Sequence, residues 1–289
     1  MQSGLSSPLA GTAASLPSKV HGPFKAPGAE DFFFSPIAFF GHPLGFTAFG
    51  ARWGLNRVVL LEFLTAGVVC GVFALAARRA RVVPGKYSVQ NVTEMVLEFV
   101  RRDVVDETLG TEGHRFYGYF VAVFCFVLVG NLFEIVPLVN FPVTSRMAIP
   151  FFLAIFTWVL FNYQGIKRHG FGQYMKNSIV PPGVPWYLLL LVVPIEFIST
   201  FVLRPFTLAI RLCANMIAGH LTLGIFFAAT QYLLAGVLYE KAFTAIFGIG
   251  SLLMCFVFTA FELLVGALQA YIFVLLTGVY LAGSLEPEH

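Results

Sequence analysis

The chain has 289 residues, of which 58% are hydrophobic and only 11% are charged, and its mean hydropathy is +0.81. Soluble domains are about 25% charged, so this composition excludes an ordinary soluble protein and indicates an integral membrane protein. The formal net charge of +3 is too small to indicate nucleic acid as a partner. The apolar segments are long and lack the alternation of barrel strands, which predicts a helical bundle.

The N-terminal part differs from the rest of the chain. Residues 1–30 are rich in Gly, Ser, Pro and Ala and contain no apolar core of signal-peptide length, so we expect a flexible tail and no cleaved signal. Residues 32–49 combine aromatic residues with glycine and proline, which favours a segment lying against the headgroups. Residues 1–56 are therefore predicted to precede a membrane domain at 57–289.

The first predicted span covers residues 57–77, which is enough to cross ~30 Å of hydrocarbon. Glu62, near its start, is interpreted as part of a solvated helix end. The basic residues after the span place its end in the cytoplasm and the N-terminus outside; they are Arg78, Arg79, Arg81 and Lys86. Apolar residues then recur at helical spacing between Ser88 and Val105, which predicts an amphipathic helix on the cytoplasmic surface.

Two further spans are predicted at residues 116–137 and 147–164. Glu134 falls within one turn of the outer end of the first of these, where it fits a solvated helix end and a proton-uptake role equally well. The second returns to the basic residues Lys167 and Arg168, again cytoplasmic by charge. Prolines and glycines punctuate residues 170–185 and predict a loop.

The chain is almost continuously apolar over residues 186–238. A helix of ~50 residues would measure ~75 Å, more than twice the hydrocarbon thickness. Either a break at Pro194 or Pro205 or a strong tilt is required, and physical reasoning leaves both open. The last predicted helix, 243–282, is also too long for an upright span, and its charged tail is assigned to the cytoplasm. No internal repeat is visible, which disfavours common secondary-transporter architectures.

Arg211 lies well inside this apolar run. Burying an arginine in a bilayer costs ~2.5–3.5 kcal/mol on insertion scales, and leucine would pack as well. Asn215, one turn further, shares its helix face, whereas His220 points to a different side. The pattern indicates a charge handled within the membrane. The alternative, an arginine that snorkels to the headgroups, suits Arg204 beside Pro205 better than Arg211.

Three carboxyl and amide side chains complete the intramembrane polar set. Glu262 and Gln269 are seven residues apart, so they share one face of the last helix. With His220, Glu262 is predicted to form an acid–base pair that passes a proton; a structural clamp, worth ~0.6 kcal/mol, is the alternative. Glu196 fits a site on the cytoplasmic side, partnered by Arg204 or backbone, or simply a charge at a helix start.

The four cysteines lie singly in apolar segments. None has CxxC or metal-ligand spacing, so they are interpreted as buried apolar side chains, and no metal or cofactor is expected. They are Cys70, Cys125, Cys213 and Cys255.

The stretch IRLCANMIAGH, residues 210–220, resembles the xRLFxNMxAGx signature of subunit a of the F-type ATP synthase. The stretch FELLVGALQAYIFVLLTGVYLAG, residues 261–283, resembles the last helix of the same subunit. The resemblance is greatest to bacterial, actinobacterial-type members and extends from about Glu30 to the C-terminus. It implies an all-α integral membrane protein with about five transmembrane helices and a cytoplasmic-surface amphipathic helix. The last two long helices would form a strongly tilted hairpin.

The resemblance also implies residue roles. Arg211 matches the family's essential arginine, Asn215 its asparagine, and Gln269 the glutamine that faces the arginine. His220 and Glu262 are exchanged relative to many bacterial members, and Cys213-Ala214 replaces Phe-Gly or Phe-Ala, which is interpreted as a packing change. Arg204 and Tyr271 are assigned as secondary residues facing the ring.

The function implied is that of a non-catalytic proton-channel stator in a bacterial plasma membrane. Protons would pass through two half-channels to and from carboxylates on a rotating ring of c subunits, with Arg211 between the half-channels. The implied path takes protons in past Glu134, Asn215, His220, Glu262 and Gln269, and out near Glu196. Peripheral-stalk b subunits, the rest of the complex, lipid and protons would be partners.

Nucleotide chemistry is not expected in this chain, which has no GxxxxGK[ST] phosphate loop. Two other classes of function are weighed beside the proton-channel hypothesis. A membrane scaffold would use the polar residues only to bind helices together, and proton flux would then not depend on Arg211. A stand-alone transporter would be active by itself in liposomes.

Overall fold

A computed structural model describes residues 38–39, 42–43, 45–48, 51–54, 57–78, 80, 88–136, 142–180, 185–237 and 242–285. The predictions for residues 1–30, for Arg79, Arg81 and Lys86, and for the charged residues of the C-terminal tail lie outside these ranges. The turn predicted between the last two helices lies mostly outside them as well.

Two short antiparallel hairpins precede the first helix. Strands β1 (Ala38–Phe39) and β2 (His42–Pro43) form one, and β3 (Gly45–Ala48) and β4 (Ala51–Gly54) form the other. The sequence predicted an interfacial segment at 32–49 without strands. Pairings of two to four residues depend on close cross-strand partners, and hydrophobic patterning does not reveal pairings that short.

Everything described after residue 56 is helix or short connection. The α-helices are α1 (Arg57–Arg78), α2 (Val89–Val100), α3 (Glu107–Leu109), α4 (Tyr117–Leu132), α5 (Ala148–His169), α6 (Phe171–Ile179), α7 (Trp186–Ile198), α8 (Arg204–Val237) and α9 (Ala242–Leu285). Two π-helical turns, Arg101–Asp106 and Ser199–Leu203, and two 3₁₀ turns, Gly110–Arg115 and Val143–Ser145, connect them.

The predicted membrane architecture is confirmed as all-α. Four described helical stretches are long and apolar enough to cross a membrane, and α4 is a shorter apolar helix of 16 residues. The amphipathic helix predicted after the first span corresponds to α2 and the π-helical turn that follows it.

The prediction of a loop over residues 170–185 is wrong for its first half, because residues 171–179 form α6. Tyr174 of α6 is buried, and its ring lies so close to Gly165 of α5 that no β-carbon would fit there. The Tyr174 hydroxyl donates a hydrogen bond to Oδ1 of Asn162, 3.0 Å away. These contacts with α5 hold a short polar segment as a helix although its own sequence signals breaks.

The chain stays helical from Trp186 to Val237, through the π-helical turn between α7 and α8. Helix α8 has 34 residues and α9 has 44. At about 1.5 Å per residue these helices measure ~51 Å and ~66 Å, well beyond ~30 Å of hydrocarbon. Both helices must therefore lie inclined in a bilayer if they are embedded along most of their length.

Helices α8 and α9 pair as an antiparallel hairpin. The contacts run in order from the tip, with Leu234 against Gly248 and Phe226 stacked on Phe258. Further along, Gly219 meets Glu262 and Arg204 lies over the ring of Tyr280. Continuing this register places Gln269 level with residues 212–215 of α8.

Helix α4 packs mainly against α9, and also against α1 and α2. Its buried residues Phe120, Phe124 and Val127 belong to one apolar core with Phe273 of α9 and Leu212 of α8. Between helices in a bilayer, van der Waals contact and not transfer from water stabilises packing of this kind. The core fixes the end of α4, and with it Glu134, against the middle of the hairpin.

Candidate functional site

Two titratable side chains meet where the end of α4 contacts α8. The Nδ1 atom of His220 lies 3.3 Å from Oε1 of Glu134. The Glu134 side chain is only 1% exposed and that of His220 is 21% exposed. Burial of this extent rules out the solvated helix end that the sequence left open for Glu134.

The third titratable group is Glu262 of α9, which is also buried. Its carboxylate lies against Gly219, so tightly that a β-carbon at that position would overlap it. Gly219 directly precedes His220 on α8, so the Glu262 carboxylate reaches α8 next to the His220–Glu134 contact. The sequence predicted His220 and Glu262 as a pair. In the structure His220 is in ion-pair contact with Glu134, and the Glu262 carboxylate packs against Gly219, the residue before His220.

These buried carboxyl groups lack part of their hydrogen bonding within the described chain. Oε1 of Glu134 and Oε1 of Glu262 accept no hydrogen bond from the described part of the chain. A buried carboxylate without partners is unfavourable unless it binds a proton or meets water. Two carboxyl groups and an imidazole in one buried cluster can exchange a proton with little change in the number of charges. We call Glu134, His220 and Glu262 the acid–base cluster.

Gln269 and Arg211 lie further along the hairpin. Gln269 is 5% exposed, and its Nε2 has no hydrogen-bond partner among the described residues. Arg211 points out of the protein on the exposed side of α8, and within the residues described it forms no hydrogen bond or ion pair. Asn215, one turn away, is partly buried. The hairpin register brings Gln269 to within about one turn of the height of Arg211.

A second polar cluster lies at the other end of α8. It surrounds a cavity of 230 Å³ whose lining includes Glu196, Thr200 and Arg204. The Arg204 guanidinium carbon lies 5.3 Å from the centroid of the Tyr280 ring, which is a cation–π contact. The Thr200 hydroxyl is buried and has no hydrogen-bond partner in the described part of the chain. We call the group around this cavity the Glu196 cluster.

Helices α5 and α6 close this cavity from the opposite side. His169, Tyr174 and Ser178 contribute to the lining. Burial raises the pKa of Tyr174, opposed by a hydrogen bond with Ser178 and by the charge of Arg204. The phenol therefore stays protonated at neutral pH and keeps its donor for Asn162. Because Glu196 and Arg204 face the same cavity, the Glu196 cluster carries both signs of charge.

Arg211 separates the two clusters along α8. At about 1.5 Å per residue it lies ~13 Å from His220 and ~10 Å from Arg204. The acid–base cluster therefore lies on the C-terminal side of Arg211 along α8 and the Glu196 cluster on its N-terminal side, and Arg211 itself is exposed between them. A proton that moved between the clusters within this chain would have to pass the level of that fixed positive charge.

Tyr271, assigned from the sequence as a ring-facing residue, also makes an aromatic contact within the chain. Its ring centroid lies 5.6 Å from that of Phe99 on α2, and the side chain is partly buried. Aromatic packing between α9 and α2 therefore occupies at least one side of Tyr271.

Among the described residues no group of three or more His, Cys, Asp or Glu side chains is arranged to hold a metal ion.

Three features of these sites are absent from the sequence prediction. They are the glycine that accommodates Glu262, the buried 3₁₀ turn Val143–Ser145, and Asn131, which connects that turn to α9. The motif NLFEIVP contains Asn131 three residues before Glu134 and was the available signal. Which helix its amide would reach depends on how α4 and α9 pack.

Comparisons with known proteins identify the family to which the chain is similar. The family model of the ATP synthase A chain matches residues 59–282. The chain is 43% identical over 266 residues to ATP synthase subunit a of Rhodococcus erythropolis, covering 92% of each chain. It is 44% identical over 237 residues to that of Frankia alni, covering 81% of this chain and 79% of the relative. It is 40% identical over 279 residues to that of Streptomyces lividans, covering 92% and 89%.

Proposed function

This chain belongs to the ATP synthase subunit a family, a membrane-sector subunit with a role in proton transport, and we propose that it provides two offset half-channels separated by Arg211. The rest of the ATP synthase complex is its partner. The observation that carries the proposal is the location of Arg211 on α8. It is exposed and unpaired within the described chain, and it lies between two separate polar clusters that contact α8 at His220 and at Arg204.

The acid–base cluster is proposed to serve the half-channel on the extracytoplasmic side. Glu134 and His220 are in ion-pair contact, and the Glu262 carboxylate packs against Gly219, the residue before His220. A proton taken up at Glu134 would pass by way of His220 or Glu262 toward the level of Gln269 and Asn215. The buried polar atoms of Glu134, Glu262 and Gln269 that lack hydrogen-bond partners in the described chain support a role in transfer, because a structural clamp would satisfy its own polar atoms.

Arg211 is proposed to face a rotating ring of c subunits. The side chain projects away from the chain's own core, so a carboxylate on a neighbouring subunit can approach it. The guanidinium would lower the pKa of that carboxylate and favour release of its proton. The same positive charge would repel a proton moving directly from one cluster to the other. Arginine suits this role because it keeps its charge in a low-dielectric site.

The Glu196 cluster is proposed to release protons on the cytoplasmic side. Its cavity carries a carboxyl group, several hydroxyls and a histidine, all of which can hydrogen-bond water. The orientation rests on the basic residues near the ends of α1 and α5, which favour the cytoplasm for those ends and the outside for the N-terminus. Peripheral-stalk b subunits, the c ring and a bacterial plasma membrane complete the proposal.

The test is ATP-driven proton pumping by membranes that contain the assembled complex. Arg211→Ala is expected to abolish coupled pumping, and Arg211→Lys to retain little of it, because lysine can lose its charge on burial. Arg102→Ala is the matched control, since Arg102 is an exposed arginine on the π-helical turn after α2 that pairs with Glu98 at 2.6 Å. Complex content is measured in each preparation.

Pumping that survives intact in an assembled Arg211→Ala complex would overturn the proposal and favour a scaffold. Proton transport by the purified chain alone in liposomes would instead favour a stand-alone transporter. Loss of pumping in Arg102→Ala as well would show that the effect is not specific to Arg211. The loss of pumping in Arg211→Ala would then no longer support the proposal.

A further inference from the structure

The 3₁₀ turn Val143–Ser145 is buried to an unusual degree for a connection between helices. Val143 and Thr144 are fully buried and Ser145 is 2% exposed. Connecting segments normally run over the surface, because a buried one must find partners for its polar groups. The polar groups of this turn form hydrogen bonds with residues on two different helices. One of those residues also forms a hydrogen bond with a third helix.

Asn131 joins the turn to two helices. Its Oδ1 accepts a hydrogen bond from the Thr144 hydroxyl at 2.5 Å, and its Nδ2 donates to the carbonyl oxygen of Gly266 at 3.0 Å. Asn131 belongs to α4 and Gly266 to α9. A β-carbon on Gly266 would lie 3.3 Å from the β-carbon of Asn131, so the backbones approach closely. The amide uses both its donor and its acceptor to link the turn, α4 and α9.

The same turn contacts α8 through its last residue. The Cys213 thiol donates a hydrogen bond to the carbonyl oxygen of Ser145, with a sulfur–oxygen distance of 3.0 Å. Cys213 is 6% exposed and lies two residues from Arg211. The turn therefore connects α8 at the level of Arg211 with α4 and α9 near the acid–base cluster.

The positions of these contacts relate them to proton transfer. Gly266 is one turn after Glu262 on α9, and Asn131 is just under one turn before Glu134. A slip of α9 by one residue would move Glu262 by about 1.5 Å along the helix axis and rotate it by roughly 100°. Proton transfer requires donor and acceptor within about 2.6–3.2 Å or one bridging water, so such a slip would interrupt it.

We propose that the turn Val143–Ser145 is a positioning element for proton transfer. Through the hydrogen bonds of Thr144 with Asn131 and of Ser145 with Cys213, it fixes the relative heights of α4, α8 and α9. It thereby holds Glu134 beside His220 and keeps Glu262 against Gly219, the residue before His220. Thr144 and Asn131 are positioning residues, and neither carries the proton. The functional part of the inference rests on the proposed proton-channel role.

The decisive variants separate hydrogen bonding from packing at one residue. Thr144→Val keeps the shape of the side chain and removes the hydroxyl that donates to Asn131, whereas Thr144→Ser keeps the hydroxyl and removes the methyl group. ATP-driven pumping is expected to fall about fivefold in Thr144→Val and to stay near the parent level in Thr144→Ser. A role in packing alone predicts the reverse order, since the valine variant fills the same space.

Thr277→Val is the matched control. Thr277 is a buried threonine of α9 whose hydroxyl donates to the carbonyl oxygen of Phe273 in the same helix, its one hydrogen bond among the described residues. Its replacement removes a hydroxyl without disconnecting the turn, so pumping should stay near the parent level. Asn131→Asp extends the test, because it keeps the shape of Asn131 and removes the Nδ2 donor to Gly266. It is expected to lower pumping at least as much as Thr144→Val.

A second measurement needs no proton flux. In the complex with Cys70, Cys125 and Cys255 replaced by alanine, Cys213 is the remaining cysteine of this chain. If the turn shields its thiol, Thr144→Val should raise the rate of labelling by a maleimide about fivefold. Thr144→Ser and Thr277→Val should leave that rate unchanged. Equal labelling rates in Thr144→Val and the parent would overturn the proposal.

The two measurements distinguish failure of this inference from failure of the proposed function. If Arg211→Ala abolishes pumping while Thr144→Val changes neither pumping nor labelling, the positioning role is wrong and the proton channel stands. If labelling rises in Thr144→Val while Arg211→Ala pumps normally, the turn holds the helices together but the proton-channel function is wrong.

Discussion

Nδ1 of His220 lies 3.3 Å from Oε1 of Glu134, although 86 positions separate the two residues in the sequence. The contact is within ion-pair distance, yet Oε1 of Glu134 accepts no hydrogen bond in the described part of the chain. When His220 is protonated, the imidazolium and an ionised Glu134 carboxylate bear opposite charges. When His220 is not protonated, its imidazole is neutral. A pair of this kind can hold a proton on either side chain.

Removing either member of this pair should lower proton flux. We expect His220→Ala and Glu134→Gln each to reduce ATP-driven pumping by at least about tenfold, because each removes a group that relays the proton. The double variant should be no worse than the more severe single variant, since residues that act as a unit are not additive. Pumping by vesicles that contain the complex is the measurement.

His114→Ala serves as the control for histidine replacement, because His114 is an exposed residue of the 3₁₀ turn Gly110–Arg115. Its pumping should equal that of the parent. Effects of His220→Ala and Glu134→Gln that simply multiply in the double variant would show that the two side chains act independently.

Gly219 is predicted to be intolerant of even one added methyl group. Gly219→Ala would drive its β-carbon into the carboxylate of Glu262, and overpacking of this kind costs about 1–3 kcal/mol or displaces the side chain. We expect pumping to fall about tenfold while complex content stays within about twofold of the parent. Both quantities are measured in the same membrane preparation.

Gly250→Ala is the matched substitution on α9, where a β-carbon would meet nothing within 4 Å. It should leave pumping unchanged, because alanine is the better helix former and has room. A Gly219→Ala complex that pumps as well as Gly250→Ala would mean that Glu262 can move without loss of function.

The ring of Tyr280 is predicted to hold Arg204 in the Glu196 cluster. Tyr280→Leu removes the cation–π contact and should lower pumping by about threefold to tenfold. Tyr280→Phe keeps the aromatic face and should retain most of the activity. If the leucine and phenylalanine variants pump equally, the ring does not position Arg204.

The sequence determined the class of protein and the chemistry available to it. Long apolar runs predicted the spans of α1, α5 and the hairpin, because about twenty consecutive apolar residues form a helix long enough to cross the hydrocarbon core of a bilayer. Arg211, His220 and Glu262 stood out because ionisable groups in such runs are unfavourable unless they serve a function. These inferences need only the identity of each residue and its neighbours along the chain.

Tertiary structure decided how the polar groups combine. The sequence could not show that His220 meets Glu134, that Gly219 makes room for Glu262, or that Val143–Ser145 is buried. The sequence predicted a loop where α6 forms. The helix forms there because the contacts of Tyr174 with α5 override the local breaking signals. Each of these depends on the register between helices far apart in the chain. That register is set by side-chain packing between helices, which periodicity within one helix does not specify.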